Sequence, residues 1–308
     1  MNCSRRTAVA SLASMLVPTR AVFGAPLHRT RLVLLGTAGG PRIRKNRSNS
    51  AQAIVAGGKI YIVDCGYGVA RQMVLAGLAL PQLRHVFITH HHSDHDIELG
   101  PLLQIAWLSG LTTPVDCWGP PPLRQMLRDY LRYEAYDIAV RTKDEGRVPF
   151  ASLVRTHELR GGGPVMRDEN VRVSAAKVYH PPVDLALAYR FDAPDRSIVI
   201  SGDTRFSENL VRLARGADVL VHEAMLPQYV PQLVSAVPGQ KQLTRSVLSH
   251  HTSAEQAGQV AAEAGVKMLV LSHLVPTGDP DVPDSEWIAA ASRHFSGPII
   301  VGRDLMEL

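Results

Sequence analysis

Short apolar runs alternate along the chain with turn residues and with segments of helical spacing. Apolar runs bounded by Gly, Pro or polar residues predict strands at residues 31–35, 59–64, 85–89, 172–178, 197–201, 219–221 and 267–272. Helical spacing predicts a short helix over residues 69–76, and Thr252 or Ser253 can cap a second helix that ends at Gly265. Because strands alternate with helices, the pattern predicts an α/β layered domain.

Length and composition narrow the class of protein. The chain has 308 residues, of which 45% are hydrophobic, so it can bury a sizeable core and is not a disordered protein. No run of 18 apolar residues is present, which argues against an integral membrane protein. No repeat or linker divides the rest of the chain, and we therefore predict one domain over residues 26–308 after a separate segment, residues 1–25.

Residues 1–25 resemble an export signal. The pair Arg5 and Arg6 precedes a weakly apolar stretch, residues 8–17, and small residues follow at Gly24 and Ala25. This layout resembles a twin-arginine signal and predicts a periplasmic or secreted protein, the alternative being a frayed basic terminus.

Net charge gives little support for a nucleic-acid surface. The formal charge is +5, but Arg5, Arg6 and Arg20 stand in a segment without acids; of 33 Lys and Arg, 30 remain against 28 Asp and Glu. Because the remainder of the chain is nearly neutral, we expect no nucleic-acid partner. The spacing of Cys65 and Cys117 leaves open whether they form a disulfide or two buried thiols.

A histidine-rich motif directly follows the strand predicted at residues 85–89. In an extended segment residues i and i+2 face the same way, so His90 and His92 can bind one cation while a turn directs Asp94 and His95 toward a second. Imidazole and carboxylate suit zinc, with iron and manganese as alternatives. An exposed His-rich tract with incidental metal affinity is the competing interpretation.

Further ligand-type residues recur where predicted strands end. They are His180, Asp203, His222, Glu223, His251 and His273. Strand ends of an α/β sheet converge on one edge, where ligands bind. His157 also follows an apolar run, but His180 is preferred to it because Pro181 and Pro182 end the strand immediately afterwards.

With these motifs the chain resembles the metallo-β-lactamase superfamily, in the branch that contains ribonuclease Z, arylsulfatase-like enzymes and phosphodiesterases, over nearly all of residues 31–275. The resemblance implies a four-layer αββα sandwich with a metal site at one edge. It also implies that His90, His92 and His180 hold one divalent metal ion, that Asp94, His95 and His273 hold a second, and that Asp203 bridges both. Zinc is the first choice for both ions. Two such ions activate water, so no serine or cysteine nucleophile is needed.

The same resemblance assigns catalytic residues. Asp94 is taken as a catalytic ligand, and Glu223 and His251 resemble a pair that assists protonation of the leaving oxygen. Alternatively, His251 merely precedes a helix cap and Glu223 satisfies a buried backbone group. Asp64 and Thr204 are candidates to anchor the ligands, with ordinary turn hydrogen bonds as an equal contender. His91, His222 and His250 receive no chemical role.

The predicted substrate follows from two differences between this sequence and the pattern of the family it resembles. Relatives that cleave transfer-RNA precursors carry a long arm between the third histidine and the bridging aspartate, whereas 22 residues separate His180 from Asp203 here. We therefore expect an exported hydrolase of a small phosphodiester or sulfate ester, with lactones, other esters or a non-catalytic metal-binding module as alternatives. A carboxylate at position 203 also makes β-lactam hydrolysis less favoured.

The segment 107–150 is rich in aromatic residues and arginines. Its members are Trp107, Trp118, Tyr130, Tyr133 and Tyr136 with Arg124, Arg128 and Arg132. The segment is predicted to be a lid-like insertion over an anionic ester, or else core and a dimer interface with a solvated arginine face, the second interpretation being preferred for most of these residues.

Overall fold

A computed structural model describes residues 29–235, 242–277 and 282–308. The predicted export signal lies outside these residues and stays a prediction. Within the described residues, two seven-stranded sheets pack face to face and helices cover their outer faces. This arrangement confirms the predicted αββα sandwich. No helix in these three ranges is both long and apolar enough to cross a membrane.

The strands are β1 Arg31–Gly36, β2 Ala51–Ala56, β3 Lys59–Val63, β4 Leu83–Phe87, β5 Val115–Gly119, β6 Val154–Glu158, β7 Gly163–Arg167, β8 Arg172–Val178, β9 Ala186–Asp192, β10 Ser197–Ile200, β11 Val219–Met225, β12 Leu269–Val275, β13 Ile299–Val301 and β14 Met306–Glu307. The helices are α1 Val69–Leu75, α2 Ser93–Asp96, α3 Leu99–Leu108, α4 Leu123–Tyr133, α5 Ala135–Asp144, α6 Glu208–Ala214, α7 Val230–Ser235, α8 Leu243–His250, α9 Ala254–Ala264 and α10 Asp284–Ala291. Short 3₁₀ turns lie at Leu80–Gln82, Phe150–Leu153 and Pro227–Tyr229.

The two sheets repeat one plan. The first has the order β14-β1-β2-β3-β4-β5-β6 and the second β13-β12-β11-β10-β9-β8-β7. In each, the strands are antiparallel at one end and parallel at the other, from β3 to β6 and from β10 to β13. Parallel neighbours need crossover connections, which here place helices on the outer face of each sheet.

Both faces of each sheet are buried, and β1 shows how the sequence achieves this. Val33 and Leu35 contact the core beneath the outer helices, while Leu32 and Leu34 contact the core between the two sheets. A strand covered on both faces reads as an unbroken apolar run, which is why the sequence shows no alternation there. Trp287 packs in the core between the second sheet and its helices.

Several strands extend beyond their predicted limits. The strand predicted at residues 219–221 continues to Met225, and the one predicted at 267–272 spans Leu269–Val275, so Glu223 and His273 lie inside strands. The cap of α9 is confirmed, because the Ser253 Oγ accepts the main-chain N–H of Gln256 and the Gln256 Oε1 accepts the main-chain N–H of Ser253. The strands β2, β5, β6, β7, β9, β13 and β14 were not predicted.

The segment 107–150 contains the end of α3, all of β5, and helices α4 and α5, so part of it is a strand of the first sheet. Trp107 is buried and stacks on Phe150 with ring centroids 5.4 Å apart. Tyr133 and Tyr136 are exposed, at 82% and 84% of their possible area, so they cover nothing within the described chain. Elsewhere, Cys65 and Cys117 are free buried thiols.

Candidate metal centre

The seven predicted metal ligands meet at one edge of the sandwich. His90 and His92 follow β4, Asp94 and His95 lie in α2, His180 follows β8, Asp203 follows β10 and His273 lies in β12. All are buried except His92, which is half-buried. The geometry arises because neighbouring strands of both sheets end at this edge.

Their donor atoms form two groups that share one carboxylate. The first contains His90, His92, His180 and Asp203, the second contains Asp94, His95, His273 and Asp203, and within each group the donor atoms lie within 4.8 Å of one another. The Asp203 Oδ1 is 3.2 Å from the His95 Nε2, and the Asp203 Oδ2 is 3.3 Å from the His273 Nε2. Asp203 therefore occupies the shared position that the family resemblance implied.

Asp64 orients two of the histidines. Its Oδ2 accepts hydrogen bonds from the His95 Nδ1 at 2.7 Å and from the Thr89 Oγ1 at 2.9 Å. Since the Thr89 hydroxyl donates to Asp64, it accepts from the His90 Nδ1, 3.1 Å away. Both imidazoles thus carry a proton on Nδ1 and present the Nε2 lone pair to the cluster. This contact supports the anchoring role predicted for Asp64.

The inward atoms fit a divalent cation. His180 donates from Nδ1 to the carbonyl of His250 at 3.0 Å, which leaves its Nε2 lone pair 3.2 Å from the His92 Nδ1. The His95 Nε2 and the Asp203 Oδ1 are buried and make no hydrogen bond with the described part of the chain. Buried polar atoms are normally paired, and converging lone pairs without hydrogens are the arrangement that a cation satisfies.

The pKa values of the ligand histidines shift in two directions. Burial and the neighbouring His95 hold the pKa of His90 well below its usual range, and burial lowers the pKa of His180 to about 4. Burial would raise the pKa of Asp203, but His273 and His95 more than offset this and hold that pKa well below normal. Burial lowers the pKa of His95 and of His273, but the neighbouring carboxylates, Asp203 first, outweigh this and raise both values. A cation in the cluster would take the place of those protons, so metal binding should release protons.

The predicted Glu223 and His251 pair forms beside the cluster. The His251 Nδ1 is 2.8 Å from the Glu223 Oε2, and the other carboxylate oxygen accepts the main-chain N–H of Thr204 at 2.6 Å. Burial lowers the pKa of His251, but the Glu223 carboxylate outweighs this and raises that pKa to about 9. The His251 ring also lies 3.9 Å from the Asp203 Oδ2 and lines the adjoining cavity, so a protonated imidazole faces the place where a substrate would lie.

The other histidines are held elsewhere. His157, the rival of His180, pairs with Asp116 at 2.7 Å in the first sheet and is not part of the cluster. His91 contacts Asp96 and the carbonyl of Pro120, both at 2.8 Å, through its two ring nitrogens. His222 is buried, with its Nδ1 2.7 Å from the carbonyl of the next residue.

A cavity of about 270 Å³ opens above the cluster. One wall is the basic loop, residues 41–47, which holds four Lys and Arg and no acid, and whose Arg42 and Arg44 line the cavity. A second wall is formed by α7 and α8, which contribute Leu233, Val234, Leu243, Ser246, Val247 and His250. The two walls touch, because the Arg42 Nη2 donates to the carbonyl of Leu233 at 3.4 Å. Sequence reasoning missed both walls, although a basic run immediately after a glycine turn was a usable signal for the first.

The fold and the metal centre define a metal-dependent hydrolase of the metallo-β-lactamase fold. A family model described as the beta-lactamase superfamily domain matches residues 60–274, and the chain belongs to this family. The chain is 32% identical over 277 residues to "Ribonuclease Z" of Mycobacterium bovis (strain BCG / Pasteur 1173P2), covering 89% of this chain and 96% of the relative. It is 35% identical over 276 residues to "Ribonuclease Z" of Mycobacterium sp. (strain KMS), with coverages of 89% and 94%.

Solved structures agree on the fold. The metallo-beta-lactamase fold protein YhfI from Bacillus subtilis superposes with a TM-score of 0.68 at 19% identity, over 91% of this chain and 98% of that one. The short form of human tRNase Z superposes with a TM-score of 0.65 at 21% identity, over 90% and 98%.

These relatives correct the predicted substrate. We expected a small phosphodiester or sulfate ester and no nucleic-acid partner, and this expectation is wrong, because relatives that are 32–35% identical are named Ribonuclease Z. The missing arm was a poor criterion, since the shared region covers 94–96% of those relatives and leaves them little additional length. The net charge was also misleading, because it averages over the chain and conceals the basic loop beside the cavity.

Proposed function

We propose that this protein is a metal-dependent endoribonuclease that hydrolyses a phosphodiester bond in RNA, with transfer-RNA precursors as its substrate class. The observation that carries the proposal is a carboxylate shared by two ligand groups, Asp203, at the floor of a cavity whose wall is the basic loop. The relatives named Ribonuclease Z support the choice of RNA over other esters.

The residues of the metal centre have two roles, to bind the cations and to orient the ligands. His90, His92 and His180 would hold one cation, Asp94, His95 and His273 the other, and Asp203 both. Two bound divalent cations would supply Lewis acidity and water activated for attack at phosphorus near neutral pH. Asp64 and Thr89 hold the imidazoles in the required tautomer, so the ligands need little rearrangement on binding.

His251 is proposed as the proton donor to the leaving oxygen. A sugar oxygen is a poor leaving group, so a proton delivered as the bond breaks accelerates the reaction. Glu223 fixes the His251 ring through Nδ1 and keeps it protonated, and Thr204 in turn fixes Glu223. The arrangement places a charged donor at the cavity, with the His251 side chain 14% exposed.

The surroundings suit a chain-like polyanion. Arg42 and Arg44 offer positive charge to phosphates on one side of the centre. A second groove of about 530 Å³ shares His92 with the first cavity and continues past Pro121 and Arg160. An RNA strand needs room on both sides of the bond that is cut, and the metal centre lies between two such spaces.

The test is a substrate panel. Purified protein, loaded with Zn²⁺ or Mn²⁺, is incubated with a transfer-RNA precursor carrying a 3′ extension, with the mature transfer RNA and with an unstructured RNA of equal length. We expect cleavage of the precursor at a single position and loss of that activity on chelation. Hydrolysis of chromogenic carboxyl or sulfate esters with no cleavage of any RNA would contradict the proposal.

A further inference from the structure

Both ends of the segment that carries the basic loop are held by one carboxylate near the end of the chain. The Asp304 Oδ1 accepts the main-chain N–H of Thr37 at 3.0 Å and its hydroxyl at 2.7 Å. The Asp304 Oδ2 accepts the main-chain N–H of Ser48 at 2.6 Å and the side-chain amide of Gln72 at 2.8 Å. Asp304 thus joins the residue before the segment 38–47, the residue after it, and α1.

The last residue of the basic loop strengthens this junction. The Arg47 Nη1 donates to the Thr37 Oγ1 and to the carbonyl of Gly302, both at 2.7 Å. The Ala38 N–H also donates to the carbonyl of Ser48 at 2.9 Å, which closes the base of the loop. Arg47 is therefore buried in the junction, whereas Arg42 and Arg44 reach the cavity.

We propose that Asp304 is a positioning residue that holds Arg42 and Arg44 in place to bind the RNA strand. The inference rests on the proposed ribonuclease function. A loop of this length loses conformational entropy when its arginines must contact phosphates at fixed positions. The hydrogen bonds of Asp304, which form a clamp at the base of the loop, order the loop before the RNA binds and so reduce the entropy lost on binding. The clamp needs a carboxylate, because two oxygens accept four hydrogen bonds here, whereas an asparagine side chain offers only one acceptor oxygen.

Asp218 provides a matched control for Asp304. Its Oδ2 likewise accepts a main-chain N–H and a hydroxyl from one residue, Ser197, at 2.7 and 2.9 Å. It lies where β10 and β11 begin, at the opposite end of these strands from Asp203, so its hydrogen bonds support the fold but not the cavity.

The experiment compares wild type, Asp304→Asn and Asp218→Asn on two substrates, a transfer-RNA precursor and bis(4-nitrophenyl) phosphate. For Asp304→Asn we expect KM for the RNA to rise about tenfold. This is the size of effect that corresponds to losing one or two charge-assisted hydrogen bonds. The ratio of kcat/KM for RNA to that for the small diester should fall by a similar factor, because the small diester does not extend along the basic loop. Asp218→Asn should leave KM for the RNA, and the ratio of the two kcat/KM values, at the wild-type value.

Hydrogen–deuterium exchange on the metal-free proteins gives a readout independent of activity. Amides of residues 37–48 should exchange faster in Asp304→Asn and at the wild-type rate in Asp218→Asn. If Asp304→Asn does not fold, Thr37→Val replaces it, since this change removes one hydroxyl from the junction and keeps the side-chain shape.

The outcomes separate the two proposals. If the wild type cleaves RNA but Asp304→Asn leaves KM unchanged, the role of Asp304 is overturned and the proposed function stands. The same holds if Asp304→Asn lowers kcat/KM equally on both substrates. Unchanged exchange at residues 37–48 also overturns it. A wild-type protein that hydrolyses the small diester but cleaves no RNA overturns the proposed function and this inference with it.

Discussion

The metal centre and the walls of its cavity are built differently. The seven residues of the centre lie at or near strand ends and are almost all buried, and two of them, His95 and His90, donate hydrogen bonds to Asp64 and Thr89. The walls come from the basic loop and from α7 and α8, whose side chains are largely exposed or half-buried. We therefore expect changes in the metal centre to affect turnover of every substrate, and changes in the walls to affect which substrate binds.

The largest effect is expected at the shared carboxylate. Asp203→Ala should reduce kcat/KM by at least about 10³-fold on every substrate, because both ligand groups lose a charged oxygen. Elemental analysis should show the metal content falling well below two ions per chain. Asp116→Ala, which removes the partner of His157 in the first sheet, is the control. A variant at position 203 with full metal and near-normal turnover would remove the distinction between centre and wall.

Loss of the proposed proton donor should depend on the leaving group. His251→Ala should slow RNA cleavage about 10²-fold and slow hydrolysis of bis(4-nitrophenyl) phosphate much less, because 4-nitrophenolate leaves without a proton. His157→Ala is the control, since that imidazole lies outside the cluster. Equal losses on the two substrates would show that His251 acts on the metal centre rather than on the leaving oxygen.

The wall should affect binding more than turnover. Arg44→Ala should raise KM for RNA about tenfold and lower the slope of log affinity against log salt by about one, with little change in kcat. Arg124→Ala removes an exposed arginine from α4 and should change neither quantity. If Arg44→Ala lowers kcat on the small diester as strongly, then the loop belongs with the centre and the comparison fails.

The smallest effect concerns stability away from the site. Lys267 lowers the pKa of Asp218 to about 2, against an ordinary value of 3.8. A carboxylate with a lowered pKa in the folded state stabilises the protein above its ordinary pKa and loses this contribution as pH falls toward 2. We expect Asp218→Asn to lower the free energy of unfolding by about 1 kcal/mol at pH 6 and by less at pH 3. Urea denaturation at both pH values measures the difference, and a larger deficit at pH 3 would contradict it.

The sequence predicted the candidate ligands better than it predicted the residues that surround them. His90, His92, Asp94 and His95 form a motif whose spacing already specifies the chemistry, and the choice of His180 over His157 agrees with where the structure places them. The clamp at Asp304 was not predicted, because its partners Thr37 and Ser48 stand more than 250 positions away in the chain. Nothing local distinguishes an aspartate that closes a loop from one that faces solvent.

The sequence by itself determined the class of fold and the candidate metal ligands. Strand periodicity and the spacing of the residues from His90 to His95 are local, and the family resemblance implied the rest of the candidate set. Only the tertiary structure decided that the basic loop faces the cavity and that Asp304 holds both ends of its segment. The family resemblance had implied the shared position of Asp203 and the pairing of His251 with Glu223, and the structure supplied their distances. These features depend on distances between segments remote in the chain. Such distances are set by the packing of two sheets against each other, which no local pattern encodes.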